Sequence, residues 1–153
     1  MTEPVVRLFV REATAEDANV LLAFAEASKA EASLYRGSSW SQPSGSILDT
    51  LTLVGGVGTT VMGSLRAVRT SDTVWFVESV FVAKESREVG IADAMMLDAL
   101  HRMSGMSATR VESSAMPGDR ATKNLFERHG LVAQTILVGK SLSDLSTPER
   151  ASQ

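Results

Sequence analysis

The stretch Val80-Phe81-Val82-Ala83-Lys84-Glu85-Ser86-Arg87-Glu88-Val89-Gly90-Ile91-Ala92 holds the residue types best able to do chemistry in this chain. An apolar run ends, a short polar connection follows, and Arg-x-x-Gly-x-Ala opens the next segment. The first turn of a helix leaves its leading N–H groups without intrahelical acceptors and carries about half a positive charge. Anions settle there. Gly90 lets a phosphate come close to the main chain, Ala92 is small for the same reason, and Arg87 adds a guanidinium. The pattern fits a pyrophosphate cradle. It also fits a plain helix start with Arg87 on the wet surface, because loose glycine motifs often match by accident.

Carboxylates supply the candidate proton acceptors. An alkylammonium must lose a proton before it can attack. Glu78 interrupts the otherwise apolar run Val74–Val82, VWFVESVFV. A carboxylate there is costly unless paired, hydrated or functional, and burial would raise its pKa toward the range of a general base. Glu78 is therefore either a catalytic base or the partner of an arginine or lysine on a neighbouring strand or subunit. Glu112, in Arg110-Val111-Glu112-Ser113-Ser114, is the second candidate. Tyr35 and Trp40, set in a serine-rich stretch, either line an acceptor pocket or pack on the surface. His101 and His129 stand apart and read as structural, and cysteine is absent, so no metal-ligand spacing exists. Ser113-Ser114 lacks the G-x-S-x-G elbow of serine hydrolases.

Around these residues the periodicities predict alternating strands and helices. Val5–Glu12 reads as a strand. Thr14 is a helix N-cap with Asp17 as the far end of a capping box. Ala18, Leu21, Leu22 and Ala25, with Val20, Phe24 and Ala27 adjoining, mark a helix. Residues 31–49 are rich in serine and glycine and form a long loop, the kind that often carries function. Leu51–Val54 and Thr60–Arg69 form a hairpin over Gly55-Gly56-Val57-Gly58, with a bulge at Gly63. Val74–Val82 is a central strand buried on both faces. A helix runs from Gly90 to about Met103 with Ile91, Met95, Ala99 and Met103 stacked. Arg110–Ala115 is a strand, Arg120–His129 a helix stopped by Gly130, and Val132–Lys140 a last strand or pair of strands.

The chain has 153 residues, 44% hydrophobic and 22% charged. That is one globular domain, residues 1–153, with a frayed polar tail over 143–153. A chain of this length buries roughly 68–70% of its unfolded surface, enough for a core without staples. The net charge of −3 argues against a nucleic-acid-binding protein. The N-terminus lacks the apolar region of a signal peptide, and no run approaches the roughly 20 apolar residues of a membrane span. The expectation is a cytoplasmic protein with no nucleic-acid or membrane partner.

From Val5 to Leu142 the sequence resembles the GNAT superfamily of CoA-dependent N-acyltransferases. Val80–Ala92 is similar to that family's acetyl-CoA motif, Arg/Gln-x-x-Gly-x-Gly/Ala. Val6–Asp17 resembles its first strand and helix start, Val57–Gly63 its next strand link, Asn124–Leu131 its late helix, and Lys140-Ser141-Leu142 the close of its last strand. The resemblance implies an α/β fold: a mixed, mostly antiparallel sheet, splayed between strands four and five, flanked by helices, with CoA in the cleft. It further implies that main-chain groups of Phe81 and Val82 pair with the pantetheine arm. Arg87, Glu88, Val89, Gly90, Ile91 and Ala92 would surround the pyrophosphate, Asn124 would face the pantetheine, and the Val82 N–H would polarise the acetyl carbonyl. Acetyl-CoA is thus the implied cosubstrate, an amine-bearing molecule the acceptor, and no metal is called for. Members commonly form homodimers. Two positions depart from the pattern. Phe126 stands where the family often has a tyrosine that protonates the departing thiolate; phenylalanine cannot, and serves as core or as a wall against CoA. Glu88 stands where glycine or a basic residue is frequent. The first departure keeps a non-catalytic acyl-CoA-binding module as the alternative.

Overall fold

The strands follow the apolar, β-branched runs. They are β1 (Leu8–Glu12), β2 (Asp49–Val57), β3 (Thr60–Arg69), β4 (Val74–Val82) and β5 (Arg110–Ser113). The helices are α1 (Ala18–Ala32), α2 (Ile91–Gly105) and α3 (Arg120–Arg128). The computed structural model describes residues 7–35 and 45–143. The sheet order is β1-β2-β3-β4-β5. The first four strands are antiparallel to their neighbours, and β5 lies parallel to β4. A parallel pair needs a crossover, which α2 provides between β4 and β5.

The core lies between one sheet face and α2. Leu51, Leu53, Leu65, Ala67, Trp75, Val77 and Val82 pack against Ile91, Met95, Met96, Ala99 and Met103, joined by Leu125 and Phe126 of α3. The predicted α2 stripe of Ile91, Met95, Ala99 and Met103 is the buried one. Each such side chain contributes roughly 1.5–3 kcal/mol by leaving water. Gly55 keeps this interface close: a Cβ there would lie 2.9 Å from Met95 Cγ.

Local signals place the ends well. Thr14 precedes a 3-10 turn, Ala15–Asp17, that runs into α1. The Thr14 N–H donates to Asp17 Oδ2 at 2.7 Å, and Arg11 donates to both Asp17 oxygens at 2.8 and 3.0 Å. α3 ends in a Schellman arrangement: Leu131 N–H donates to the Phe126 carbonyl, Gly130 N–H to that of Glu127, and Gly130 sits at φ +85°.

Several expectations need correction. The hairpin turn is Gly58-Thr59, with Gly55–Val57 still in β2. The register shift of that hairpin leaves Met62, beside Gly63, as the extra residue. α1 uses a different face: Val20, Leu21, Phe24 and Ser28 are half-buried, whereas Ala18, Leu22 and Ala25 are exposed. Residues 131–141 form no strand, and Ile136, Leu137 and Val138 are exposed. Strand propensity is realised through cross-strand neighbours, and this segment has none among the described residues. The start of the first predicted strand, Val5 and Val6, lies outside the described residues.

Candidate active site

The sheet opens along one edge of β4. β4 runs from Val74 to Val82, but β5 pairs with it only over Val74–Val77. β5 ends at Ser113, opposite Val77, so Glu78–Val82 have no strand on that side among the described residues. Ser113 Oγ donates to the Val77 carbonyl at 2.7 Å where the pairing ends. The edge of β4 over Glu78–Val82 is therefore the unpaired stretch of the sheet on this side.

Main-chain direction along that edge alternates. The Phe81 carbonyl points toward β3, where a Cβ on Gly63 would meet it at 2.6 Å. Val82, and Val80 two residues earlier, therefore present their main-chain groups to the open side. Of the two residues expected to offer main-chain groups, Phe81 turns its carbonyl to β3, while Val82 faces the unpaired edge, as does Val80. Phe81 contributes its ring, 5.2 Å from that of Phe24 on α1.

At the end of this edge, the chain makes a 3-10 turn, Lys84–Ser86, and enters α2 through Arg87–Gly90. Gly90 is the N-cap of α2 at φ +92°, and Glu88 sits at φ +70°. Left-handed residues alternating with ordinary ones turn successive N–H groups into one concavity, a nest suited to an anion. The N–H groups of Arg87, Glu88, Val89, Gly90, Ile91 and Ala92 find no acceptor among the described residues. The α2 dipole points the same way. The left-handed geometry at Glu88 is one that glycine adopts without steric cost. The Ile91 side chain is buried in the core, so its share in the cradle is its N–H alone, whereas Val89 is exposed.

Arg87 is held rather than loose. Its Nη2 donates to Glu31 Oε1 and Oε2 at 2.6 and 2.8 Å, and its Nε donates to the Val82 carbonyl at 3.0 Å. The guanidinium carbon lies 5.8 Å from the centre of the Phe81 ring. Nothing in the local sequence marks Glu31 as its partner, since the two are 56 residues apart.

Asp93, in the first turn of α2, ties α3 to the cradle. Arg128 donates to both its oxygens at 3.1 Å, and His129 Nε2 lies 2.9 Å from Oδ1. Arg128 above all, then His129, lowers the Asp93 carboxyl from its ordinary value, against some opposing burial. Asn124, four residues before Arg128, shares the face of α3 that meets Asp93. It is exposed and has no hydrogen-bond partner among the described residues. Phe126 is buried in the core beside Leu125, so of its two expected roles the core one is realised.

Glu78 is not buried as expected. The β3–β4 register passes from Arg66–Ser79 to Ala67–Val77, leaving Glu78 as the extra residue of a bulge. Its side chain is exposed, and Arg66 Nη1 lies 2.5 Å from its Oε2. The neighbouring-strand arginine is thus the partner observed, and the bulge puts Glu78 at the start of the open edge. Glu112 is also exposed, paired with Arg110 Nε at 2.9 Å. Tyr35 approaches the connection between β5 and α3, where a Cβ on Gly118 would lie 3.6 Å from its Cδ1. Tyr35, just past the end of α1, thus packs beside the β5–α3 connection. Trp40 lies outside the described residues.

Comparisons with known proteins bear on the family and on the fold. The sequence profile of the acetyltransferase (GNAT) family matches residues 18–131. No curated protein matches the chain. Among solved structures, an aminoglycoside N-acetyltransferase in complex with CoA superposes with a TM-score of 0.68 at 11% identity, over 92% of this chain and 98% of that one. A tetramutant protein from Bacillus halodurans gives 0.72 at 13% identity, over 88% and 99%. An aminoglycoside acetyltransferase from an uncultured soil metagenomic sample, in complex with trehalose, gives 0.65 at 12% identity, over 88% and 94%. At such identities the likeness is one of fold.

Proposed function

The chain belongs to the acetyltransferase (GNAT) family, a family of acyltransferases, and on that footing we propose that it moves an acetyl group from acetyl-CoA to a primary amine by direct attack in a ternary complex. The observation that carries this reading is the row of N–H groups from Arg87 to Ala92 without acceptors among the described residues, next to the unpaired end of β4. The donor set fits the group it is asked to hold. Main-chain N–H groups and a helix N-terminus suit a diphosphate, and an unpaired strand edge suits an extended amide-bearing arm.

Acetyl-CoA supplies an activated thioester. The protein's own residues do the rest. The Arg87–Ala92 amides bind the diphosphate. The Val80 and Val82 main-chain groups align the arm, and the Val82 N–H hydrogen-bonds the carbonyl oxygen as negative charge develops on it. Asn124 borders the arm from α3. Glu78, steadied by Arg66, accepts the proton of the amine directly or through water, with Glu112 the second candidate. Tyr35 lines the acceptor side. Positioning of the two reactants accounts for most of the rate gain.

The acceptor is an amine-bearing small molecule, a protein N-terminus or a lysine. The aminoglycoside acetyltransferases among the structural neighbours support an amine acceptor. The protein works in the cytoplasm. Among the described residues no helix is long and apolar enough to cross a membrane. The test is a panel of primary amines with acetyl-CoA, read by thiol release. Acetyl transfer to any amine above the rate of hydrolysis is the expected result.

One observation favours a second reading. Phe126 is buried and carries no proton, so no tyrosine hydroxyl stands at its position to meet the departing thiolate. Tight CoA binding with no turnover on the whole panel would point to an acyl-CoA-binding module.

A further inference from the structure

We infer that Glu31 is a latch on the CoA site: its carboxylate competes with the diphosphate for Arg87 and holds the guanidinium across the open edge of β4 until CoA displaces it. The inference rests on the CoA-binding reading above and adds the regulation of that site. Three contacts define the latched position. Glu31 takes the guanidinium by both carboxylate oxygens at 2.6 and 2.8 Å, the Val82 carbonyl takes Nε at 3.0 Å, and the Phe81 ring lies 5.8 Å away. The Val82 carbonyl belongs to the strand edge on which the arm of CoA would lie. In this position Arg87 therefore both withholds its charge from the cradle and caps the edge beside it.

The cradle itself makes this competition sharp. Between Val82 and Asp93 the cations Lys84 and Arg87 face Glu85 and Glu88, and Arg87 is the one held by Glu31. Asp93 is already matched by Arg128 and His129. A diphosphate entering the nest needs Arg87, and Glu31 must release it. Both side chains are about 40% exposed, so the pair exchanges readily with solvent and is screened by salt. An exposed pair of this kind is worth a factor of about two to five. Once released, Glu31 stands one helical turn before Tyr35 with its charge uncovered.

The test is calorimetric titration of CoA into the wild-type chain, Glu31→Gln, Arg87→Ala and the double variant. Glutamine keeps the shape and removes the charge. The latch predicts that Glu31→Gln binds CoA about two- to fivefold more tightly than wild type at low salt, and that the gain shrinks as salt is raised. It also predicts that the gain vanishes in the Arg87→Ala background, because Glu31 acts through that guanidinium; a merely structural effect would persist there. Equal or weaker binding by Glu31→Gln, with wild type binding CoA, overturns the latch and leaves the CoA reading intact. Wild type and Glu31→Gln both failing to bind CoA, while circular dichroism shows both folded, overturns the CoA reading and the latch with it.

Discussion

Ser113 ties the end of β5 to Val77: its hydroxyl donates to the Val77 carbonyl at 2.7 Å where the paired part of β4 and β5 ends. A single side-chain bond thus marks where the pairing of the two strands stops. Replacing it, Ser113→Ala, removes the bond and leaves the Val77 carbonyl without that donor. The expected loss is about 1 kcal/mol in urea unfolding, with weaker CoA binding because the end of β5 loosens from β4. A variant as stable as wild type would show that β4 and β5 are held by main-chain pairing alone.

Gly90 and Glu88 should respond in opposite directions. A Cβ on Gly90 has room, since the nearest atom is Leu8 Cδ1 at 3.8 Å. The penalty of Gly90→Ala is therefore conformational, at φ +92°, and roughly 1–2 kcal/mol is expected.

Glu88 already bears that penalty at φ +70°. Glu88→Gly should stabilise the fold by about 0.5–1 kcal/mol after the added flexibility of the unfolded chain is counted. It should also tighten CoA binding by removing a carboxylate from the nest. Thermal unfolding with and without CoA reads both effects, and a less stable Glu88→Gly would show that the side chain makes a compensating contact.

The proton acceptor can be separated from its competitor by kinetics. Glu78→Gln is expected to lower kcat by about a hundredfold while leaving KM for acetyl-CoA near its wild-type value. Glu112→Gln should stay within a few-fold of wild type, because Glu112 lies opposite Phe76 in the paired part of β4 and β5 and is engaged by Arg110. The reverse order would move the role to Glu112.

Asp17 gives the fold a defined acid limit. Its carboxyl is lowered from 3.8 to about 2, chiefly by hydrogen bonds from Arg11 and then by the Thr14 N–H. A group depressed in the folded state adds stability that is complete above its unfolded pKa and is lost as pH falls through the folded one. Asp17→Asn should therefore be less stable than wild type near neutral pH, and the gap should close as pH falls from about 4 toward 2. Urea midpoints across that interval test it; a constant gap would mean that the loss is not one of charge.

Much of this architecture is legible in the residues. The spacing of Ile91, Met95, Ala99 and Met103 marks the buried stripe of α2, and Arg-x-x-Gly-x-Ala marks the cradle that precedes it. Both are local patterns, and local patterns survive folding. What was hidden depends on partners far along the chain. Glu31 meets Arg87 only because α1 crosses the end of β4. Glu78 reads as buried in VWFVESVFV, and the bulge that turns it toward Arg66 belongs to the β3–β4 pairing rather than to either strand. The segment 132–140 has strand propensity but no neighbour among the described residues to pair with. The face of α1 was misassigned because nearly every face of that helix carries an apolar residue, so spacing alone could not choose among them.

The most direct test of the account is calorimetric titration of the wild-type chain and Gly90→Glu with CoA and with pantetheine, which lacks the diphosphate. Saturable CoA binding is predicted, with pantetheine at least about tenfold weaker and the Gly90→Glu variant showing no CoA binding. Equal affinity for pantetheine and CoA, or unchanged CoA affinity in Gly90→Glu, would contradict the claim that the amides at the start of α2 grip a diphosphate.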